Sequence, residues 1–145
     1  MKKREHKATV IALLTVLATL AHAAHASEPD LSAAETTSVN RRIATLKASG
    51  DRRMAQGWSN TKKVAELLCR PAALPVLKKQ ATGVDRVFLG TDDPKTLTLE
   101  SNSHLTGTGQ FRTPGGWTDF SFTCDLDPQT GKVIAFQPVL ANVAH

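Results

Sequence analysis

The chain has 145 residues, 18 Lys or Arg against 13 Asp or Glu, a formal net charge of +5, and two cysteines. That length fits one domain. Two lone cysteines make a poor metal site, and nothing beyond residue 26 is apolar for long enough to cross a membrane. The positive charge is not evidence for nucleic-acid binding. Four Lys or Arg and one acid lie within residues 1–26, and the remaining 119 residues carry 14 Lys or Arg and 12 acids.

Residues 1–26 read as a cleavable export signal. Lys2, Lys3, Arg4 and Lys7 precede an apolar run from Ala8 to Ala21, and Ala-His-Ala-Ala-His-Ala follows at 21–26. A charged start, a short apolar stretch and an A-x-A site are the parts of a secretory signal. Cleavage after Ala26 uses Ala24 and Ala26 and begins the mature chain at Ser27; cleavage after Ala23 competes. The competing reading of the run is a membrane anchor, but its 14 residues fall short of the roughly 20 that a spanning helix needs. The expected location is periplasmic or secreted. In such a compartment Cys69 and Cys124 read as a disulfide closing a loop of about 55 residues, with reactive thiols or shared metal ligation as alternatives.

Residues 27–145 read as one small domain, helical over 27–83 and β-rich over 84–145. Ser32 and Glu35 have capping-box spacing, so a helix begins there. Val39, Ile43 and Leu46 share a helical face, and Gly50 is a suitable stop. Residues 50–59 read as a loop containing Trp58. Ser59 or Asn60 caps a second helix with Val64, Leu67 and Leu68 on its buried stripe and Cys69 beside them. Pro71 and Pro75 restrict 71–80 to short helical pieces, and Gly83 closes the region.

From Val84 the apolar period becomes two. Strands are predicted at 84–89, 96–100, 104–112, 117–126 and 132–137. In the fourth, Phe120, Phe122, Cys124 and Leu126 share one face. That turns Cys124 toward the core, where Cys69 on a packed helix reaches it. In the third, Leu105, Gly107, Gly109 and Phe111 share a face, and paired strand glycines mark a close approach by a helix or a ligand. Thr113–Gly116 and Asp127–Gly131 read as turns. The fold class is therefore α+β: two or three N-terminal helices on a four- or five-stranded antiparallel sheet, with one helix-to-sheet disulfide.

Signals for chemistry are weak. Asp125-Leu-Asp127 leads a glycine-bearing turn, but Gly131 falls at position 7 of a loop that needs glycine at 6. Gly107-Thr-Gly109 lacks the third glycine of a dinucleotide fingerprint. His104 could pair with Asp119 as a general base, yet no serine has a nucleophile-elbow context and there is no HExxH. No catalytic residue, cofactor or metal site is assigned. Arg112 and Trp117 flank the Thr113–Gly116 turn; they suit either an exposed contact or a Trp packed under its hairpin with the Arg laid over it. Residues 41–79 hold ten basic side chains and two acids. Arg41, Arg42, Arg52 and Arg53 could meet an anionic envelope component or another exported protein, unless the stretch is only a solvated helical face.

Cys69-x-x-Ala72, Asp85-Arg86-Val87, Gly109-Gln-Phe111-Arg112, Trp117, Phe120-x-Phe122-x-Cys124 and Val133-x-x-Phe136 together resemble small exported bacterial proteins of the domain of unknown function 930 family. The resemblance spans residues 69–136; Thr118 stands where the family tends to have an aromatic. It implies a shared architecture and an envelope or secreted location, and it brings no reaction or functional residue. The expected function is a non-enzymatic envelope binding module. An inhibitor or accessory subunit of an envelope enzyme, contacting through loop 113–117, is the alternative. A small hydrolase using His104, Asp119 or Asp125 and Asp127 ranks last.

Overall fold

The computed structural model describes residues 27–141; the predicted export signal lies outside them. Helix α1 spans Ala33–Thr45 and α2 spans Ser49–Gln56. A third rod is built from α3 (Asn60–Lys63), a π-helical segment (Val64–Cys69) and α4 (Arg70–Gln80). Five strands follow: β1 Arg86–Leu89, β2 Leu97–Ser101, β3 His104–Thr113, β4 Gly116–Asp127 and β5 Lys132–Leu140. They form one antiparallel sheet in which β3, β4 and β5 are consecutive neighbours. β1 and β2 share the position beside β3, β1 along residues 109–112 and β2 along 104–107. The α+β class and the Cys69–Cys124 bridge between helix and strand are as expected from the sequence.

The capping box at Ser32 forms as predicted. The Ser32 hydroxyl accepts from the Glu35 amide at 3.1 Å and donates to the Pro128 carbonyl at 2.7 Å. One side chain thus starts α1 and seats it on the β4–β5 turn. α1 stops at Thr45, short of the predicted stop at Gly50, and Gly50 lies inside α2. The predicted loop over 50–59 is therefore a helix for most of its length. α2 buries only Ala55, so it offers no periodic apolar signal. It is braced by Arg52, which donates to the carbonyls of Leu46 at 2.6 Å and Lys47 at 2.9 Å, just beyond the end of α1.

The short pieces predicted for 71–80 are instead an 11-residue helix. The π segment explains the difference. It ends with the Arg70 amide bonded to the Ala65 carbonyl, and this widened turn takes up the missing donor and bulky ring of Pro71. Pro71 and Pro75 lie four apart and are exposed, so both rings face water rather than the core.

The helices cover one face of the sheet. Val39, Ile43, Val64, Leu68 and Leu77 from the helical layer meet Leu105, Phe111, Phe122, Leu126 and Phe136 from the strands in one buried cluster. Phe120 sits among Phe111, Phe122 and Phe136 with ring centroids 5.9–6.5 Å away. Neighbouring strands and an aromatic ring, not a helix, lie against the paired glycines of β3. A Cβ on Gly107 would strike the Thr96 carbonyl, and one on Gly109 would strike the Phe88 carbonyl and the Phe120 ring. The glycines admit neighbouring strands and an aromatic ring. β5 runs past its predicted end at 137 to Leu140, through Pro138. An edge strand tolerates proline where the missing N–H faces outward.

Candidate functional site

The other face of the sheet carries no helix among the described residues, and the strand alternation places polar groups and two aromatic rings there. Arg112 and Trp117 are direct cross-strand partners on β3 and β4, and β1 places Phe88 opposite Gln110. Phe88 and Trp117 stack with centroids 5.5 Å apart and planes 24° apart. They remain 41% and 47% exposed. The Arg112 guanidinium lies 5.8 Å from the Trp117 ring centre and forms a two-pronged bond to Asp85 at 2.9 and 2.7 Å. This bond holds the Asp85 carboxyl below the usual carboxylate range and raises Arg112 in turn. Trp117 is not packed under its own hairpin; it lies against Phe88, with Arg112 over its ring as the sequence suggested. The sequence singled out Trp117 and Arg112 but not Phe88. The signal for Phe88 was present: between Val87 and Leu89, which are buried, it must face the other way.

The four arginines of the helical layer do not join this cluster. Arg41 and Arg42 lie on α1 and Arg52 and Arg53 on α2. The N-terminus of α1 is seated at Pro128, the far end of β4 from Trp117. Arg52 is engaged with backbone carbonyls. Arg41, Arg42 and Arg53 are exposed on the helical layer.

His104 does not meet Asp119. Its Nδ1 lies 2.5 Å from Asp125 Oδ1, and its Nε2 lies 3.6 Å from Glu100 Oε2. Asp119 instead accepts from the Gln110 amide at 2.7 Å. Both nitrogens of the His104 ring face a carboxylate. Asp127 points elsewhere: it accepts from the Gln129 amide and the Thr130 hydroxyl and so shapes the β4–β5 turn. Among the described residues no group of three or more His, Cys, Asp or Glu is placed to hold a metal ion.

Two further acidic side chains brace the helical layer: Glu35, the capping-box residue, and Glu28, which carries no signal in the sequence pattern. Glu35 is fully buried; its Oε2 accepts from the Ser32 amide at 2.7 Å, and its Oε1 has no partner among the described residues. Glu28 binds the start of the third rod, where its carboxylate accepts from the amides of Asn60 and Thr61. Burial raises the Glu28 pKa, but the hydrogen bonds from Thr61, Asn60 and Ser59 more than offset it and hold it below the ordinary value of 4.5. A carboxylate depressed in the folded chain stabilises the fold at neutral pH, and that contribution disappears as pH falls below its unfolded value and through its folded one. Glu28→Gln should therefore be less stable than the parent in urea at about pH 7, by a gap that narrows toward about pH 3. An equal stability gap at both values would exclude Glu28 as an ionised cap.

Among the described residues, three of the surface clefts frame this region. The one of about 660 Å³ lies between the start of the third rod and the β1–β2 loop, with Glu28, Lys62, Phe88, Asp92 and Leu97 among its walls. A shallower trough of about 470 Å³ lies near Gln110, Asp119, Ser121 and Val139, and a cleft of about 320 Å³ separates α4 from the start of β1. His104 lines none of them. No protein-family model, curated protein or solved structure matches the chain.

Proposed function

We propose that this chain is an exported, non-enzymatic binding module of the bacterial cell envelope, and that the Phe88–Trp117 stack with Arg112 is its contact surface. One observation carries the reading: two large aromatic rings lie side by side, each nearly half exposed, on the helix-free face. Aromatic rings and arginine are the side chains that most often dominate binding energy when a partner covers them. Asp85 fixes the Arg112 guanidinium beside the rings, so less freedom is lost on contact. Export is supported by the three-part leader and by a disulfide, a bond that persists in oxidising compartments. Among the described residues no helix is long and apolar enough to cross a membrane.

The resemblance to the domain of unknown function 930 proteins belongs to the same proposal. The residues that carry it include the bridged cysteines, the Gly109–Arg112 segment and Trp117. A second reading, an inhibitor or accessory subunit, draws on the hairpin tip beside Trp117. There the Thr113 hydroxyl accepts from the Gly115 amide at 3.2 Å and braces the turn.

Crosslinking of the tagged protein in its native envelope tests the surface. Trp117→Ala and Arg112→Gln should each weaken capture of the principal partner, with Trp117→Ala costing about 30-fold or more, as for a hot-spot residue. Arg41→Glu, Arg42→Glu and Arg53→Glu together should leave capture unchanged; Arg52 stays in place because it braces α2. The opposite pattern would transfer the contact to the helical face.

A further inference from the structure

We propose that the cleft between the third rod and the β1–β2 loop receives a segment of a partner protein in which a lysine or arginine stands beside an apolar or aromatic side chain. The inference rests on the binding-module reading but uses a different part of the surface. The cleft holds about 660 Å³, within the range of sites that enclose a ligand.

Its apolar wall is Phe88, Pro94 and Leu97, and its charged groups are Glu28, Glu66, Asp92 and Asp93 against Lys62 alone. Most of those acids are already engaged. Glu28 caps the rod, Glu66 pairs with Arg70 at 3.1 Å, and Asp93 Oδ1 accepts from the Lys95 amide at 2.9 Å. Asp92 has no hydrogen bond or ion pair among the described residues. Lys62 leans over the Trp58 ring, 5.2 Å from its centre. The cleft therefore presents an excess of negative charge within a helical layer rich in lysine and arginine, and its complement is a cation.

The loop is built to hold its shape. The Thr96 hydroxyl donates to the Asp93 carbonyl at 2.7 Å and accepts from the Thr91 amide at 2.9 Å. A braced rim costs little ordering on binding. Phe88 belongs both to this cleft and to the stack with Trp117. A cleft of this volume, with an apolar wall beside its acids, suits a chain segment better than a small amine.

A displayed library of random 12-residue peptides, panned on the disulfide-bonded protein, tests this. Enriched peptides should place Lys or Arg within three positions of Phe, Trp or Leu. A synthetic enriched peptide should bind the Asp92→Asn/Asp93→Asn variant about tenfold more weakly, and weaken with added salt. The amide that replaces the Asp93 carboxylate keeps an oxygen to accept from the Lys95 amide, so the loop is preserved. No enrichment, enrichment of acidic peptides, or undiminished binding to that variant overturns the proposal. A peptide that loses affinity for Asp92→Asn/Asp93→Asn but not for Trp117→Ala upholds the cleft and counts against the aromatic face. Loss with Trp117→Ala alone does the reverse.

Discussion

Reduction of the Cys69–Cys124 bridge should lower stability by about 4 kcal/mol, the chain-entropy value for a loop of this length. The cysteines are 55 residues apart, and their Cα atoms are 6.2 Å apart across the two layers. Both side chains are fully buried, so reduction leaves two thiols that still fill the space, and the loss reports the crosslink itself. Cys69→Ala with Cys124→Ala should cost more, because it adds a cavity in the core. A domain of this size has only about 5–15 kcal/mol in total, so either change removes a large share. Urea unfolding of the oxidised, reduced and doubly substituted proteins measures it. The slope of the transition should also rise on reduction, since the unfolded chain expands. A loss below about 1 kcal/mol, well short of the usual range for a native bridge, would mean that packing alone holds the helices to the sheet.

The layers joined by that bridge are legible in the sequence because their signals are local. Strand β4 alternates cleanly, Ser32 and Glu35 have capping-box spacing, and Ser59 precedes a helix that it caps. α2 is illegible because it is polar on nearly all sides and held by Arg52 reaching back to carbonyls beyond α1. α4 escapes the sequence pattern because proline rules describe an α-helix, and the π segment ahead of Pro71 changes the geometry on which those rules rest.

The candidate site shows the same division. Thr113 pairs with Gly116 around a two-residue loop. A loop of that length fixes the register of the whole hairpin, which places His104 against Asp125, Gln110 against Asp119 and Arg112 against Trp117. Those pairings are within reach of the sequence, and an expectation of His104 near Asp119 overlooks the count. The Phe88–Trp117 stack is not. It requires β1 to return beside β3, and no local pattern states that order.

Gly131→Ala is the second change expected to have a large effect, of about 2–5 kcal/mol, combining left-handed backbone strain with overpacking. Gly131 has φ +65°, and a Cβ there would strike the Ala34 carbonyl and come within 2.6 Å of the Ser38 hydroxyl. The Ser38 hydroxyl can rotate away, but the Ala34 carbonyl cannot yield cheaply. Ala34 belongs to the first turn of α1, whose capping serine is bonded to Pro128 on the same turn. Displacing the helix would break that bond and draw Val39 and Ile43 away from the core. Two other glycines separate the contributions. Gly116 has φ +119° with nothing within 4 Å of where a Cβ would stand, so Gly116→Ala reports backbone strain alone. Gly50 lies within α2 with open space around it, and Gly50→Ala should stabilise by up to about 1 kcal/mol. If Gly131→Ala cost no more than Gly116→Ala in thermal or urea unfolding, α1 would not be held by the β4–β5 turn. In that case the buried Glu35 and the capping box would have to hold the helix without it.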